Sequence, residues 1–269
     1  MRPWLGLHTH ARSSSRPSTC DLLVISHCPQ LEILTSILSL SQVLMIKLYN
    51  TTVFEWGVDA LVTEETNPNI QQVLAVYTNF TEFPEGLLSP DFPKALRDVK
   101  FVGTNLTTLP MSLATAWRRI KVLVIEMSPL LVEISAVVGE FKGLLYSSFN
   151  SNNMRQLQSK IVEAIASPID VTNNPISELP ESLAYRSIHF FVGIVRTNVS
   201  SLPLSWLNKQ KAPTKTMLTL IAEQTPLCTG LGCTGQIQGV TISKISPNRY
   251  NVGTVKKPDF TKPIQWGYR

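Results

Sequence analysis

The sequence predicts an α/β solenoid of short stacked repeats, and three observations lead to that prediction. Segments of one pattern recur along the chain of 269 residues, 43% of the residues are hydrophobic, and only 16% are charged. A typical soluble chain has about 25% charged residues. The hydrophobic content is enough for a sizeable core, and it excludes a wholly disordered chain.

The repeats share a frame of relative positions counted from zero. Apolar residues occupy positions 0, 2, 7 and 10, Asn or Thr occupies position 5, and Pro occupies position 11. The clearest copies are Val99 to Pro110, Ile169 to Pro180 and Val192 to Pro203. Val73 to Pro84 and Ile46 to Gly57 follow the same frame, with Gly in place of Pro in the second. An accidental similarity among Leu-rich segments of an ordinary α/β domain explains five such copies poorly.

Two further stretches extend the array. The gap between the copies that start at Val99 and Ile169 has room for two more repeats, and a degraded copy is visible from Val122 to Ser135. An earlier unit begins at Leu22. A unit of this size cannot bury its apolar face alone, so neighbouring units must stack on one another.

Each position in the frame has a physical role. Positions 0 and 2 put alternate side chains of a short strand on one face, which we expect to point inward. A short polar side chain at position 5 can bond backbone groups where the chain turns out of the strand. The apolar residues at positions 7 and 10 fold back over the strand. The predicted core therefore includes Val99, Phe101, Leu106, Leu109, Ile169, Val171, Ile176 and Leu179.

The motifs T-N-[LFV]-[TS]-x-[LF]-P and N-N-P-I-S-E-L-P resemble the leucine-rich repeat family, and most of all its oomycete members. The resemblance covers about residues 22–228 and is weak over 122–168 and 204–220. It implies a leucine-rich repeat horseshoe with a parallel sheet of short strands on the concave face and loops and short helices on the convex face. It also implies binding rather than catalysis. Thr replaces the Asn of the family's ladder in several repeats, which predicts an incomplete ladder.

The charge distribution divides the chain into three parts. Residues 1–19 carry three Arg and no acid, residues 236–269 carry six Lys or Arg and one Asp, and the rest has a net charge of −3. We predict a disordered basic leader over 1–19, a leucine-rich repeat domain with Cys-bearing ends over 20–235, and a basic tail over 236–269. Nucleic-acid-binding proteins concentrate basic residues on the folded body, so this slightly acidic body argues against a nucleic-acid partner.

Four cysteines flank the repeats. Extracellular members of the leucine-rich repeat family often close their terminal repeats with disulfides, so the resemblance implies a Cys20–Cys28 pair and a Cys228–Cys233 pair. Four free thiols in a reduced cytosolic protein are the alternative. No second Cys or His pair lies beside Cys228 and Cys233, so we predict no metal site.

Four N-x-[ST] sequons begin at Asn50, Asn79, Asn105 and Asn198. Three of them fall at position 6 of a repeat and Asn50 falls at position 4. The pattern therefore supports a glycoprotein and an accident of the repeat consensus equally.

No catalytic motif is convincing. The segment 230–235 matches G-x-G-x-x-G, but a dinucleotide site needs that motif between a strand and a helix, and the residues after it suit a strand or loop. His8 and His10 lie in the predicted leader, and His189 adjoins a predicted strand. We predict no catalytic residue, no cofactor and no enzymatic activity.

The predicted function is non-catalytic recognition of a protein or peptide, as in the ectodomain of a cell-surface receptor or adhesion protein. The alternative is a scaffold or regulatory part of an enzyme whose catalytic domain is absent from this chain. No apolar run reaches the about 20 residues that span a bilayer. We expect the protein to be extracellular or at the cell surface if the gene model lacks its true N-terminus, and cytoplasmic otherwise.

Strand side chains alternate, so positions 1 and 3 should face the concave side and form the binding surface. The predicted binding residues are Lys47, Tyr49, Leu74, Val76, Lys100, Val102, Asp170, Thr172, Gly193 and Val195. They would form a stripe that is basic and aromatic at one end and apolar in the middle. We expect several of the apolar residues to be exposed, which suits a protein or peptide partner. The alternative is that Leu74, Val76 and Val102 pack under loops between repeats.

Overall fold

The computed structural model describes residues 21–185, 190–207, 218–231, 235–237 and 240–243. The strands are β1 (Leu22–Ser26), β2 (Leu31–Glu32), β3 (Met45–Thr51), β4 (Val53–Glu55), β5 (Gln72–Thr78), β6 (Asp98–Val102), β7 (Val122–Glu126), β8 (Tyr146–Ser148), β9 (Ile169–Asp170), β10 (Phe190–Gly193), β11 (Leu218–Ile221), β12 (Gly235–Ile237) and β13 (Val240–Ser243). The α-helices are α1 (Leu113–Ala116), α2 (Ser159–Ala164), α3 (Leu204–Leu207) and α4 (Pro226–Leu231). Short 3-10 helices cover Thr35–Ser39, Val58–Ala60, Glu85–Leu87, Ala136–Glu140 and Glu181–Tyr185.

One large sheet runs through the described part of the chain. Its order is β1-β3-β5-β6-β7-β8-β9-β10-β11-β13-β12, and every neighbouring pair is parallel except the antiparallel β12 and β13 at the end. Strands β2 and β4 form a separate parallel pair. Parallel strands that follow one another in chain order, joined by loops and short helices, make the predicted leucine-rich repeat solenoid, so the fold class is confirmed.

The strand register reproduces the repeat frame. Position 0 of each repeat lies beside position 0 of the next. These residues are Leu23, Ile46, Val73, Val99, Leu123, Ser147, Ile169, Val192, Leu220 and Ile242. Two repeats, starting at Leu123 and Ser147, therefore occupy the predicted gap between Val99 and Ile169. The first of them is the degraded copy, which starts one residue later than the predicted Val122.

The predicted inward residues form the core. All eight of those named for the repeats at Val99 and Ile169 are at most 5% exposed and belong to one continuous hydrophobic cluster. Burying a side chain such as that of Leu106 contributes about 1.5–3 kcal/mol relative to leaving it exposed. Stacking of the repeats is therefore the main source of stability in this array.

The chain leaves each strand through a left-handed residue at position 4. Positive φ angles occur at His27, Asn50, Tyr77, Gly103, Met127, Ser151, Asn173, Arg196 and Gln224. The next residue, at position 5, turns a small polar side chain into the interior. The buried residues at this position are Thr51, Thr78, Thr104, Ser128, Asn152, Asn174, Thr197 and Thr225.

The residues at position 5 differ in how many hydrogen bonds they supply. The Asn152 Nδ2 donates to the carbonyl oxygens of Ile125 and Phe149, and its Oδ1 accepts the Ser128 N–H, so it joins two repeats. The Thr197 hydroxyl donates only to the Ile194 carbonyl of its own repeat, because it has one donor. The asparagine ladder is therefore incomplete, as the resemblance implies.

The cysteines at the ends of the array differ from the prediction at one point. Cys28 occupies position 5 of the first repeat and its thiol is free, which contradicts a Cys20–Cys28 disulfide. The turn needs a small side chain there, and that need explains this cysteine without a bridge. Cys228 is buried and disulfide-bonded. Cys20 and Cys233 lie outside the described residues, so the Cys228–Cys233 pair stays a prediction.

The sheet continues past Gly235, where the sequence predicted the repeat domain to end. Strand β13 pairs with β11 in the register of a further repeat, and β12 adds antiparallel to its outer side. The predicted leader over 1–19 and the predicted tail from residue 244 onward lie outside the described residues. Within those that are described, no helix is long and apolar enough to cross a membrane.

Candidate functional site

The concave face is defined here as the sheet face that points away from the main core. Its side chains come from positions 1 and 3 of each repeat and from the residue before position 0. Of the predicted binding residues, Val76 and Val102 belong to a separate small cluster and not to the main core, as alternation of strand side chains requires.

The first three repeats place aromatic and basic groups at the carboxyl ends of their strands. The Tyr49 ring makes edge contacts with the rings of His27 and Tyr77, at centroid distances of 5.6 and 6.2 Å. The Lys47 Nζ lies 6.0 Å from the centroid of the Tyr49 ring. Asn50 supports this group through a hydrogen bond of 2.9 Å between its Nδ2 and the His27 Nδ1. Partial burial lowers the pKa of Lys47.

The middle of the face is apolar and closed. Val76, Val102 and Val124 contact one another across neighbouring strands and are 5%, 2% and 5% exposed, and Leu74 is 4% exposed. The prediction that Leu74, Val76 and Val102 are exposed is therefore wrong. Strands lie about 4.8 Å apart, so branched side chains in adjacent strands cover one another. Tyr49 packs against the edge of this cluster.

An ion pair borders the valines. The Lys100 Nζ lies 2.9 Å from the Asp98 Oδ2, and both side chains are 12% exposed. The Asp98 Oδ1 is buried and has no hydrogen-bond donor. Burial raises the pKa of Asp98, and the Lys100 charge opposes that rise. The pair is thus more protected from solvent than a surface salt bridge.

Glu126 is a buried carboxyl group on the next strand. It is 8% exposed, and its Oε1 accepts a hydrogen bond from the Ser148 hydroxyl. Burial, together with the nearby Asp170 charge, raises the pKa of Glu126 to about 7, against the opposing effects of the Ser148 hydrogen bond and the Lys100 charge. This carboxyl group therefore changes its charge near neutral pH.

Asp170 and Tyr146 complete the polar centre. The Asp170 Oδ1 accepts the Thr172 backbone N–H at 2.9 Å, and Asp170 lies beside Ser148 in the sheet register. A Cβ on Gly193 would lie 2.6 Å from the Asp170 Oδ1, so the glycine leaves the space that this carboxylate occupies. Burial raises the pKa of Asp170, and burial together with the Asp170 charge raises the pKa of Tyr146.

Sequence reasoning missed several of these residues. Glu126 and Ser148 lie at concave positions of the repeats that start at Leu123 and Ser147. These two repeats match the sequence pattern poorly, so their concave residues were not predicted. Asp98 and Tyr146 lie one residue before position 0, a position to which the frame assigned no role. Val195 lies at position 3 of its repeat, as predicted, and is half-buried.

The four sequon asparagines are exposed. Asn79 also bridges two repeats, because its Oδ1 accepts the Val53 N–H at 2.8 Å and its Nδ2 donates to the Val53 carbonyl at 3.0 Å. Glycosylation of Asn50, Asn79, Asn105 and Asn198 stays a prediction.

Across the described part of the chain, no three His, Cys, Asp or Glu side chains are grouped as metal ligands. The G-x-G-x-x-G segment begins with the last two residues of helix α4 and ends at the first residue of strand β12, the reverse of the order that a dinucleotide site needs. His8, His10 and His189 lie outside the described residues.

Fold and surface together define a leucine-rich-repeat-like solenoid whose concave face combines aromatic, apolar and acidic groups. A leucine-rich repeat domain of a Shigella effector has a similar structure, with a TM-score of 0.45 and 18% sequence identity over 70% of this chain and 79% of that chain. No family model matches the sequence. A search of curated proteins found no match. These comparisons give no support to the oomycete type.

Proposed function

We propose that the protein is a recognition module that binds a protein or peptide on its concave face. The observation that carries the proposal is the arrangement of Tyr49, Tyr77 and Tyr146 around the three buried valines of that face. Tyrosine is enriched at the centres of protein interfaces, since it combines a large apolar ring with a hydroxyl group. All three are half-buried, which leaves part of each ring or hydroxyl for a partner.

We further propose that the chain acts outside the cell, in the manner of a receptor or adhesion-protein ectodomain. The exposed sequons at Asn105 and Asn198 support this setting. Expression through a secretory pathway, followed by peptide N-glycosidase and mass spectrometry, tests it. A glycan on either asparagine is the expected result, and unmodified asparagines in the secreted protein would contradict it.

Binding on the concave face is tested with the full chain as bait. We expect the Lys47→Glu and Tyr49→Ala substitutions to abolish capture of a partner from an extracellular fraction. They should lower the melting temperature only slightly, because neither side chain belongs to the main core and Tyr49 contacts only the edge of the valine cluster and two neighbouring rings. Lys160→Glu on helix α2 is the matched control, because Lys160 is exposed on the other side of the solenoid. Capture that survives both concave substitutions would place the site elsewhere.

A further inference from the structure

We propose that a second surface, on the rim of the solenoid where the strands begin, binds a sulfated polysaccharide. The surface is called the basic rim here and consists of Arg97, Arg118, Arg119 and Lys121, which lie in the turns that lead into β6 and β7. It is distinct from the concave tyrosines, and the choice of a polysaccharide rests on the extracellular setting proposed above.

The basic rim is a local feature of the solenoid. Segments 90–97 and 115–121 together contain five Lys or Arg and one acidic residue. The corresponding turns before β3, β5 and β9, at 40–44, 67–71 and 165–168, contain no charged residue. Positive charge is therefore concentrated on two neighbouring turns of a repeat domain whose net charge is negative.

The two turns hold their cations on one patch. The Lys121 N–H donates a hydrogen bond of 2.7 Å to the Arg97 carbonyl oxygen, so these residues are neighbours across adjacent repeats. Arg118 and Arg119 line a groove that also includes Pro93 of the preceding turn. The basic rim therefore spans two repeats as one surface.

The cations of the basic rim form no ion pair with any described residue. The ion pairs in that part of the chain involve Lys94, Lys100 and Lys142 instead. Asp91 is the one carboxylate among the residues that line the groove, and it pairs with none of these cations. The positive charge of the basic rim is therefore available to an external anion.

The basic rim is also partly organised before a ligand binds. The Arg97 Nη1 donates to the carbonyl oxygens of Lys94 and Leu96 at 2.6 and 2.8 Å, while its Nε and Nη2 have no partner among the described residues. A guanidinium held in this way loses less side-chain freedom on binding, and its planar fork matches the oxygens of a sulfate or phosphate group. A Cβ on Gly143 would lie 3.0 Å from the Lys121 Nζ, so this glycine leaves space for the ammonium group.

The surroundings favour a polysaccharide over other polyanions. Proteins that bind single-stranded nucleic acids add exposed aromatic rings to a basic groove, so that bases can stack on them. The aromatic residues of these two turns are Phe92 and Trp117, which are 3% and 1% exposed. A sulfated polysaccharide carries repeated anionic groups and no base to stack, so it needs only the cations that the basic rim supplies.

The test is calorimetric titration of a heparin octasaccharide into the full chain at constant ionic strength. We expect Arg97→Gln combined with Lys121→Gln to weaken binding about tenfold or more, because two contacts with sulfate groups are lost. The matched control is Arg155→Gln combined with Lys160→Gln, which removes two exposed cations outside the basic rim and should leave the affinity within about twofold. Equal affinities of the two double variants would overturn the inference.

A second double variant covers the case in which loss of the Arg97 hydrogen bonds disturbs its turn. Arg118→Gln combined with Arg119→Gln removes two exposed cations whose side chains make no hydrogen bond within the described part of the chain. It should keep the melting temperature of the unsubstituted chain and weaken octasaccharide binding by a similar factor. An unchanged affinity in this folded variant would mean that the basic rim is not the site.

The class of polyanion is tested with an octasaccharide from which the sulfates have been removed and with a single-stranded oligonucleotide of the same charge as the sulfated octasaccharide. The desulfated sugar should show no measurable binding, and the oligonucleotide should bind about tenfold more weakly than the sulfated sugar, because no exposed ring is available for stacking. Equal or tighter binding of the oligonucleotide would overturn the assignment to a polysaccharide.

Failure of this inference differs from failure of the proposed function. If Tyr49→Ala abolishes partner capture while both basic-rim variants bind the octasaccharide like the unsubstituted chain, the concave face is a site and the inference is wrong. If the basic-rim variants lose the octasaccharide while Tyr49→Ala and Lys47→Glu retain capture, the inference stands and the concave-face proposal is wrong.

Discussion

The Asn174 Nδ2 donates a hydrogen bond of 2.8 Å to the carbonyl oxygen of Phe149 in the preceding repeat. The same carbonyl accepts a bond of 2.9 Å from Asn152, so two successive ladder residues meet at one backbone atom. Threonine at the same position, as in Thr197, closes only its own turn. The repeats near β8 and β9 are therefore joined more firmly at their turns than the repeat at Val192.

Replacing Asn174 by Ala should lower the free energy of unfolding by about 1–3 kcal/mol, because the Met154 N–H and the Val171 carbonyl lose their buried partner. Chemical denaturation measures this. Asn105→Ala is the control, since Asn105 is exposed at position 6. Equal unfolding free energies for Asn174→Ala and Asn105→Ala would show that the ladder residue Asn174 does not stabilise the fold.

Replacing Leu106 by Ala should cost about 2–5 kcal/mol, through lost transfer free energy and the cavity left behind. Leu106 is 1% exposed at position 7 of its repeat. Thermal melting compares it with Met111→Ala, whose side chain is 58% exposed and which should change little. An unchanged melting curve for the leucine variant would contradict the repeat frame.

Gly103→Ala should destabilise the protein by about 1–3 kcal/mol, because Gly103 has a φ of +65° and an added Cβ would lie 2.5 Å from the Tyr77 Cδ1. The clash with the ring should disappear in a Tyr77→Ala background, while the backbone strain remains. A double-mutant cycle on unfolding free energies should therefore show a coupling of about 1 kcal/mol. Strict additivity would mean that the ring does not restrict this position.

Glu126→Gln should stabilise the protein above neutral pH and not below about pH 4.5. The folded-state pKa of Glu126 is raised from 4.5 to about 7, so the folded state binds more protons than the unfolded state between these values. Stability consequently falls as the pH rises through this window, by about 3 kcal/mol, since each unit of pKa difference corresponds to about 1.4 kcal/mol. Urea denaturation of both chains across the window checks the sign, and a constant difference at every pH would contradict it.

The Cys28 thiol should react with iodoacetamide in the absence of reductant, because it is free and its residue is partly exposed to solvent. Cys28→Ser should alter the stability by no more than about 0.5 kcal/mol, since Ser128 fills the same turn position in another repeat. Peptide mapping after alkylation identifies the labelled residue. Recovery of Cys28 only in a disulfide-linked peptide would restore the pairing that the family resemblance implies.

The repeat frame and its inward residues could be predicted from the sequence because they are local. The alternation of Val99 and Phe101, and the return of Leu106 and Leu109 over the strand, depend on residues within one short segment. The same rule assigned Lys47 and Tyr49 to the opposite face. It did not find the repeat at Ser147, where a polar residue occupies position 0.

Only the tertiary structure decided what the concave face contains. Glu126, Ser148 and Asp170 become neighbours because strands more than twenty residues apart in sequence lie about 4.8 Å apart in the sheet. That cross-strand register also buries Val76 against Val102 and raises the pKa of Glu126. A pattern within one repeat determines on which face a side chain lies, whereas its exposure and charge state depend on the neighbouring repeats that stack beside it.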